Sequence, residues 1–246
     1  MRNALARRIT VLLVAVALFA APVGIRSADP PVNLVLPARS SAVPADTLLD
    51  PEAAEWQGIP AQRVGLNRTP PLYETDPPAV LEVSWVDVRI ARAGRQLIVH
   101  LTWLDAAADQ TELAQAPSSP PETRVLKEPT AATERFFDAA AVMFPSTAAG
   151  GAFTPSLQMG DAGQPVTIYY WNAARGAMLM DAQGRGTTRR TGASFRARGV
   201  HRGGRWLVTL EMSDLAAGVP LAFAVWNGSQ QDRDGRKYFS VWHWLQ

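Results

Sequence analysis

The stretch Val86-Asp-Val-Arg-Ile90-Ala-Arg-Ala-Gly94-Arg-Gln-Leu97-Ile-Val-His-Leu101-Thr-Trp103 decides the fold. Val86, Val88 and Ile90 alternate, Ala93-Gly94 marks a turn, and Leu97, Val99, Leu101 and Trp103 alternate back. A period of two sends successive side chains to opposite faces, so the stretch predicts a β-hairpin with one buried face. The same grammar continues downstream. Phe136 to Pro145 reads as a short apolar strand ended by proline, and Pro165 to Trp171 as another. Arg205 to Met212 alternates, Leu221 to Trp226 is a continuous apolar run, and Lys237 to Leu245 is the last strand. Residues 105–130 have loop composition, and Gly184 to Gly204 reads as a solvated loop with an edge strand at Ser194 to Arg198. Upstream, residues 29–80 are rich in proline and predict an extended arm packed on or beside the domain, with one helical turn at Pro51 to Trp56. Seven or more short strands with almost no helical periodicity predict a mainly β chain. The expected fold is a two-sheet antiparallel β-sandwich over residues 81–246.

Residues 1–28 read as an export signal. Arg2, Arg7 and Arg8 form a basic start, and Ile9 to Phe19 is an apolar run too short to span a bilayer. Export by the Sec route to the periplasm follows as an expectation, without an integral membrane span. Removing the four arginines of this segment takes the formal charge from +2 to −2, so net charge offers no argument for nucleic acid. The chain has no cysteine, which excludes disulfides, thioether-linked haem and thiolate-held iron–sulfur clusters.

Chemistry enters through a rare residue. Only two of the 24 basic residues are lysines, Lys127 and Lys237. Arginine stays protonated at any working pH, whereas a buried lysine amine can lose its proton and ligate a metal. In a regular strand Lys237 shares a face with Phe239, Val241, His243 and Leu245, an apolar side that favours the neutral amine. A lysine at a strand start also snorkels to solvent in many proteins. Met143 offers a soft thioether suited to haem iron, and Met159, in Gln158-Met-Gly-Asp161, is its rival because a turn would present its sulfur. Met178, Met180 and Met212 are weaker candidates, and plain packing competes for each methionine. Trp171, Trp226, Trp242 and Trp244 are candidates to wall a flat cofactor.

Several separated motifs occur in order: Leu49-Asp-Pro51 with Trp56, Leu101-Thr-Trp-Leu-Asp105, Phe137-Asp-Ala-Ala-Ala-Val-Met-Phe-Pro145, Met159-Gly-Asp161, Ile168-Tyr-Tyr-Trp-Asn-Ala173, and Ala224-Val-Trp-Asn-Gly-Ser229 followed by Asp234-Gly-Arg-Lys237 and Ser240-Val-Trp242. From about Leu49 to the end, the chain resembles the haem-binding γ subunits of dimethyl-sulfide-dehydrogenase-type molybdoenzymes. Ethylbenzene dehydrogenase, chlorate reductase and selenate reductase belong to that group. The resemblance implies a non-covalent b-type haem (haem b) in a β-sandwich, its iron held axially by a lysine and a methionine. Lys237 matches the lysine and Met143 best matches the methionine, with Met159 as the fallback. It also implies a molybdopterin catalytic subunit, an iron–sulfur subunit and a soluble cytochrome or similar redox partner. The chain itself would be a non-catalytic electron-transfer subunit.

Two other classes compete. Exported β-sandwiches with surface tryptophans bind carbohydrate, and a flat exposed tryptophan platform would mark that alternative. Hydrolysis finds little support. His100, His201 and His243 lie in no nucleophile or zinc motif.

Overall fold

The hairpin expected around Gly94 forms as read, with Ala93 opposite Gln96 and Gly94 in the left-handed region at φ 63°. In the computed structural model, residues 33–70, 82–110, 136–146 and 154–246 are described. The segment 1–28, Lys127 and most of the proline-rich connection 105–130 lie outside the described residues. In chain order the strands are β1 (Val35–Leu36), β2 (Ala38–Ser40), β3 (Gln62–Gly65), β4 (Asn67–Arg68), β5 (Trp85–Ala93), β6 (Gln96–Leu104), β7 (Ala139–Pro145) and β8 (Val166–Asn172). There follow β9 (Gly176–Ala182), β10 (Arg189–Arg190), β11 (Ala197–His201), β12 (Arg205–Ser213), β13 (Pro220–Trp226), β14 (Tyr238–Phe239) and β15 (His243–Leu245). One short helix, α1 (Ala45–Leu48), and a 3-10 turn at Ala54–Gly58 precede β3.

The strands form two facing sheets, as the alternation predicted. One runs β1-β15-β13-β7-β8-β9-β10, with β14 joining β13 and β4 joining β14. The other runs β11-β12-β6-β5-β2, with β3 on β5. Between them lies the core, where Val86, Val88, Ile90, Val99, Leu101 and Trp206 meet Val142, Tyr169, Trp171, Phe223 and Tyr238. Gly199 is obligatory at this packing: a Cβ there would lie 2.1 Å from the Trp171 ring.

Three local expectations change. Gly184 to Gly204 holds more strand than expected: β11 overlaps the edge strand read at Ser194 to Arg198, and β10 adds an edge strand to the other sheet. The arm supplies strands to both sheets, and β1 on β15 and β2 on β5 pair in parallel, so the sandwich is not wholly antiparallel. Its α1 segment and Trp56 also cover the outer face of the second sheet over Ala91, Ala93 and Ile98.

The third change concerns the last strand. Ala224 pairs with Phe239 but Leu221 pairs with His243, so one extra residue is accommodated between β14 and β15. Ser240 holds this bulge: its backbone N–H donates to Phe223 O at 2.9 Å, and its hydroxyl accepts from Phe223 N at 2.9 Å. A single inserted residue flips every following side chain to the other face. Lys237 and Phe239 therefore lie on the outer side with Trp242, whereas His243 and Leu245 turn inward, contrary to the regular-strand reading.

Candidate functional site

The outer face of the larger sheet carries the site. Strand registers bring Ala224 beside Ala141, Ala222 beside Met143, and Trp226 beside Ala139. Four alanines on neighbouring strands make a low shelf of methyl groups. Met143, Ile168, Trp226 and Trp242 border it in one cluster, with Tyr170, Met180, Phe239, Leu157 and Met159 packed against them. The rings of Tyr170 and Trp226 meet edge to face at 5.3 Å.

Lys237 reaches this shelf because of the turn before it. Asp234, at φ 50°, and Gly235 reverse the chain, and the Arg236 N–H donates to Arg233 O at 2.8 Å. Thr69 of the arm then pins the Lys237 carbonyl with its N–H at 2.9 Å and its hydroxyl at 2.8 Å. The Lys237 Nζ ends 3.5 Å from Met159 Sδ and 5.2 Å from the centre of the Trp226 ring. Part of the residue's surface stays exposed, yet the amine is shut in enough that burial lowers its pKa to about 8, with Asp234 pulling weakly the other way. Desolvation disfavours the charged form, and among the described residues no carboxylate lies within ion-pair distance of the amine.

Met159 is presented by a strained turn. Its φ is 74° and that of Gly160 is 81°. A Cβ on Gly160 would fall 2.7 Å from Gln164 O. For a residue with a side chain the left-handed region costs about 1–2 kcal/mol, so the surroundings must impose it. They do: Gly184 N–H donates to Met159 O at 2.8 Å and Gly160 N–H to Ser156 O at 2.9 Å. The Ser156 N–H donates to Asp161 Oδ2 at 2.7 Å, and the Trp242 indole donates to Pro155 O at 3.0 Å. Strain held this tightly at one side chain is a mark of function.

Among the sequence candidates, the structure brings together Lys237 and Met159. Met143 lies in the floor, on β7 between Ala222 and Ile168. Met178 and Met180 share the outer face further along, and Met212 is core. Trp226 and Trp242 border the shelf, Trp171 points inward onto Trp206, and Trp244 is 37% exposed beside Val35 on the edge strand. The tryptophans do not form a flat exposed platform among the described residues. The histidines stand apart from the site: His100 faces Pro51 O at 3.0 Å, His201 faces Asp105 O at 2.9 Å, and His243 Nδ1 accepts from Leu34 N–H at 3.0 Å. Among the described residues no group of three or more His, Cys, Asp or Glu side chains is arranged to hold a metal ion.

Asp138 escaped the sequence reading. It is fully buried at the head of β7 and accepts from Gly228 N–H at 2.8 Å, Asp109 N–H at 2.7 Å and the Trp206 indole at 2.8 Å. It therefore fixes the start of the shelf strand to the turn that follows Trp226. The signal available was the acid interrupting the apolar run Phe137-Asp-Ala-Ala-Ala.

The donor set fits a haem iron: a soft neutral thioether, an amine biased toward its neutral form, a flat alanine floor and aromatic walls. Residues 53–194 match the family model described as ethylbenzene dehydrogenase. The chain is 29% identical to the putative respiratory nitrate reductase heme subunit ORF7 of Haloferax mediterranei, covering 82% of this chain and 70% of that one. It is 27% identical to the chlorate reductase subunit gamma of Ideonella dechloratans, covering 98% and 97%, and 28% identical to the dimethylsulfide dehydrogenase subunit gamma of Rhodovulum sulfidophilum, covering 80% and 73%. Among solved structures, a family 9 carbohydrate-binding module from Caldicellulosiruptor kristjanssonii in complex with glucose aligns with 86% of this chain and 95% of its own. Its identity is 9% and its TM-score 0.41, too low to carry an argument.

Proposed function

The chain belongs to the ethylbenzene dehydrogenase family, and on that premise we propose that it is a periplasmic electron-transfer subunit holding one non-covalent haem b between Lys237 and Met159. The observation that carries the reading is the amine of Lys237 against the sulfur of Met159 at the edge of an alanine shelf. That contact favours Met159 over Met143 as the methionine ligand. Such a haem would be held by Lys237 and Met159 and would supply one-electron exchange between ferric and ferrous iron.

The residues of this chain divide the remaining tasks. Lys237 contributes a lone pair that burial makes easier to expose, because a pKa lowered to about 8 leaves roughly a tenth of the amine neutral at pH 7, far more than an ordinary lysine. Met159 sulfur favours the reduced metal, and the apolar shelf disfavours extra positive charge, so a comparatively high potential is expected. The aromatic walls and Leu157 exclude water. The relatives named as γ or haem subunits of reductases and a dehydrogenase support a place in an oxidoreductase complex; the proposed partners are a molybdopterin subunit, an iron–sulfur subunit and, on the outside, a soluble cytochrome or similar protein. The basic and apolar segment at 1–28 supports export, and 29–80 and 81–246 are the proposed arm and haem-binding domain.

A reduced-minus-oxidised absorption spectrum of protein exported with haem supplied, followed by acid–solvent extraction, tests the reading. Sharp low-spin ferrous bands and extractable haem are expected. Met159→Ala and Lys237→Ala should abolish the low-spin spectrum while the far-ultraviolet β signal persists; Met143→Ala should leave the bands low-spin. If Met143→Ala removes them and Met159→Ala does not, the methionine assignment is wrong.

A further inference from the structure

Net charge conceals an asymmetry in this chain. Between residues 185 and 205 there are seven arginines and no acid: Arg185, Arg189, Arg190, Arg196, Arg198, Arg202 and Arg205. Outside that segment the formal charge is therefore −5, and −9 once residues 1–28 are set aside. All seven side chains are exposed. Three have carboxylate partners: Arg189 with Asp181, Arg196 with Asp46 and Glu211, and Arg202 with Glu52. Arg185, Arg190, Arg198 and Arg205 have none among the described residues.

The fold gathers this charge on one side of the sandwich. β10 ends the larger sheet and β11 edges the smaller one. Phe195, in the link between them, packs edge to face on Tyr169 at 4.7 Å and closes the gap. Charged side chains on edge strands block sheet-to-sheet pairing, but mixed signs serve that purpose equally and Arg185 and Arg202 lie in turns. Seven arginines against Asp46, Glu52, Asp181 and Glu211 leave the rim net positive, and arginine matches carboxylates two bonds at a time.

The β10 end of the rim adjoins the site, whereas Arg196 and Arg202 lie toward the arm, on Asp46, Glu211 and Glu52. Arg190, Met180, Ile168, Met143 and Ala222 form one continuous row across β10, β9, β8, β7 and β13. From β10 to the shelf strand β7 is three strand spacings, about 14 Å. Arg190 Nη2 meanwhile rests on the Met178 sulfur, a poor acceptor for a guanidinium.

We propose that this arginine rim docks an acidic protein surface, and that the docked protein is the one exchanging electrons with the Lys237–Met159 site. The second clause rests on the haem reading above; the first does not. Two small redox proteins of opposite charge serve as probes, acidic cytochrome b5 and lysine-rich cytochrome c, with a short DNA duplex as a third titrant. Calorimetric titration of the full chain at low ionic strength is expected to show binding of cytochrome b5 and not of cytochrome c. The triple variant Arg185→Gln/Arg198→Gln/Arg205→Gln, with its fold checked by circular dichroism, should bind cytochrome b5 about tenfold more weakly, within the range of electrostatic steering. Added salt should erase the difference. Stopped-flow electron exchange should follow the same order. Preference for cytochrome c, tighter binding of DNA, no binding of any probe, or an unaffected triple variant would overturn the proposal. Titration of haem-free protein separates the two readings: docking without a haem spectrum sinks only the electron-transfer clause.

Discussion

Lys237 is the residue on which the chemistry turns, and its protonation sets two expectations of opposite use. Its folded pKa, about 8, lies below the ordinary lysine value of 10.5. Between those values the unfolded chain binds more protons than the folded one, so stability of the haem-free protein rises with pH across that window. Lys237→Met should remove this rise, which denaturant melts at pH 7, 8.5 and 10 would show. Ligation needs the neutral amine, so haem affinity should fall by up to about tenfold per pH unit below 8 and level off above it. A haem titration between pH 5.5 and 9 checks that shape. Asp105 poses the mirror problem. Burial, with help from Asp138, lifts its pKa to about 7. The folded state then binds more protons than the unfolded state between about pH 4 and 7, and this stabilisation is lost as pH rises through 7. Buried His100 and His243, each lowered to about 4 by desolvation, slope the other way over much of that window. Only the difference between wild type and Asp105→Asn isolates the acid. That variant should gain stability relative to wild type as pH rises from about 4 to 7 and hold the gain above 7, and equal curves would show the carboxylate to be solvated. Asp138 is the more severe position. Asp138→Ala strands the buried Gly228 N–H and the Trp206 indole, at about 1–3 kcal/mol each, and frees the half-buried Asp109 N–H.

At the scale of elements, alternation carried most of the information. The β5–β6 hairpin and β12 stand where the period of two placed them, and β7, β8 and β13 where short apolar runs did, because each buries one face or both between layers. Short edge strands were legible only in part: β11 was read a few residues early, at Ser194 to Arg198, and β10 was missed, because both are rich in arginine and glycine and pair only where neighbouring strands offer free backbone groups. The bulge at Ser240 was invisible for another reason. A serine in an apolar strand reads as an outward residue, whereas here its hydroxyl replaces a missing ladder bond. That misreading put His243 beside Lys237. The pairing of Lys237 with Met159 was equally beyond periodicity, since it joins a loop near β8 to a turn before β14. Only the Met-Gly-Asp turn hinted at it. Gly199 tests the packing that these elements share. Gly199→Ala drives a methyl group into the Trp171 ring, and overpacking of this kind costs about 1–3 kcal/mol or more. Its denaturant midpoint should fall well below wild type while Gly192→Ala, with open space around it, should not.

Over the whole molecule, the arm converts two sheets into one object. β1 closes the larger sheet and β2 the smaller, so residues only a few positions apart staple both layers. The following segment then lies across the smaller sheet. Leu48 and Trp56 are almost fully buried there, the Trp56 indole donates to Leu48 O and Asp50 O at 3.1 Å, and Thr209 Oγ1 donates to Leu49 O at 2.5 Å. His100 sits beneath, stacked on Trp56 at 4.8 Å. A proline-rich composition disguised all this, because proline and short polar runs erase the periodicity by which strands are read. The site depends on the arm as well, since Thr69 holds the Lys237 carbonyl. Fully burying a large apolar side chain contributes about 1.5–3 kcal/mol, so Leu48 and Trp56 alone represent a large fraction of the 5–15 kcal/mol that stabilises a typical domain. A chain begun at Gln62 would keep Lys237, Met159 and the alanine shelf, yet lose β1, β2 and the cover over Ala91 and Ile98. It should therefore melt far below the full chain or fail to accumulate, and adding residues 33–61 as a separate peptide should restore a cooperative transition. A truncated chain with an unchanged melting curve would show that the arm is a passenger on the sandwich.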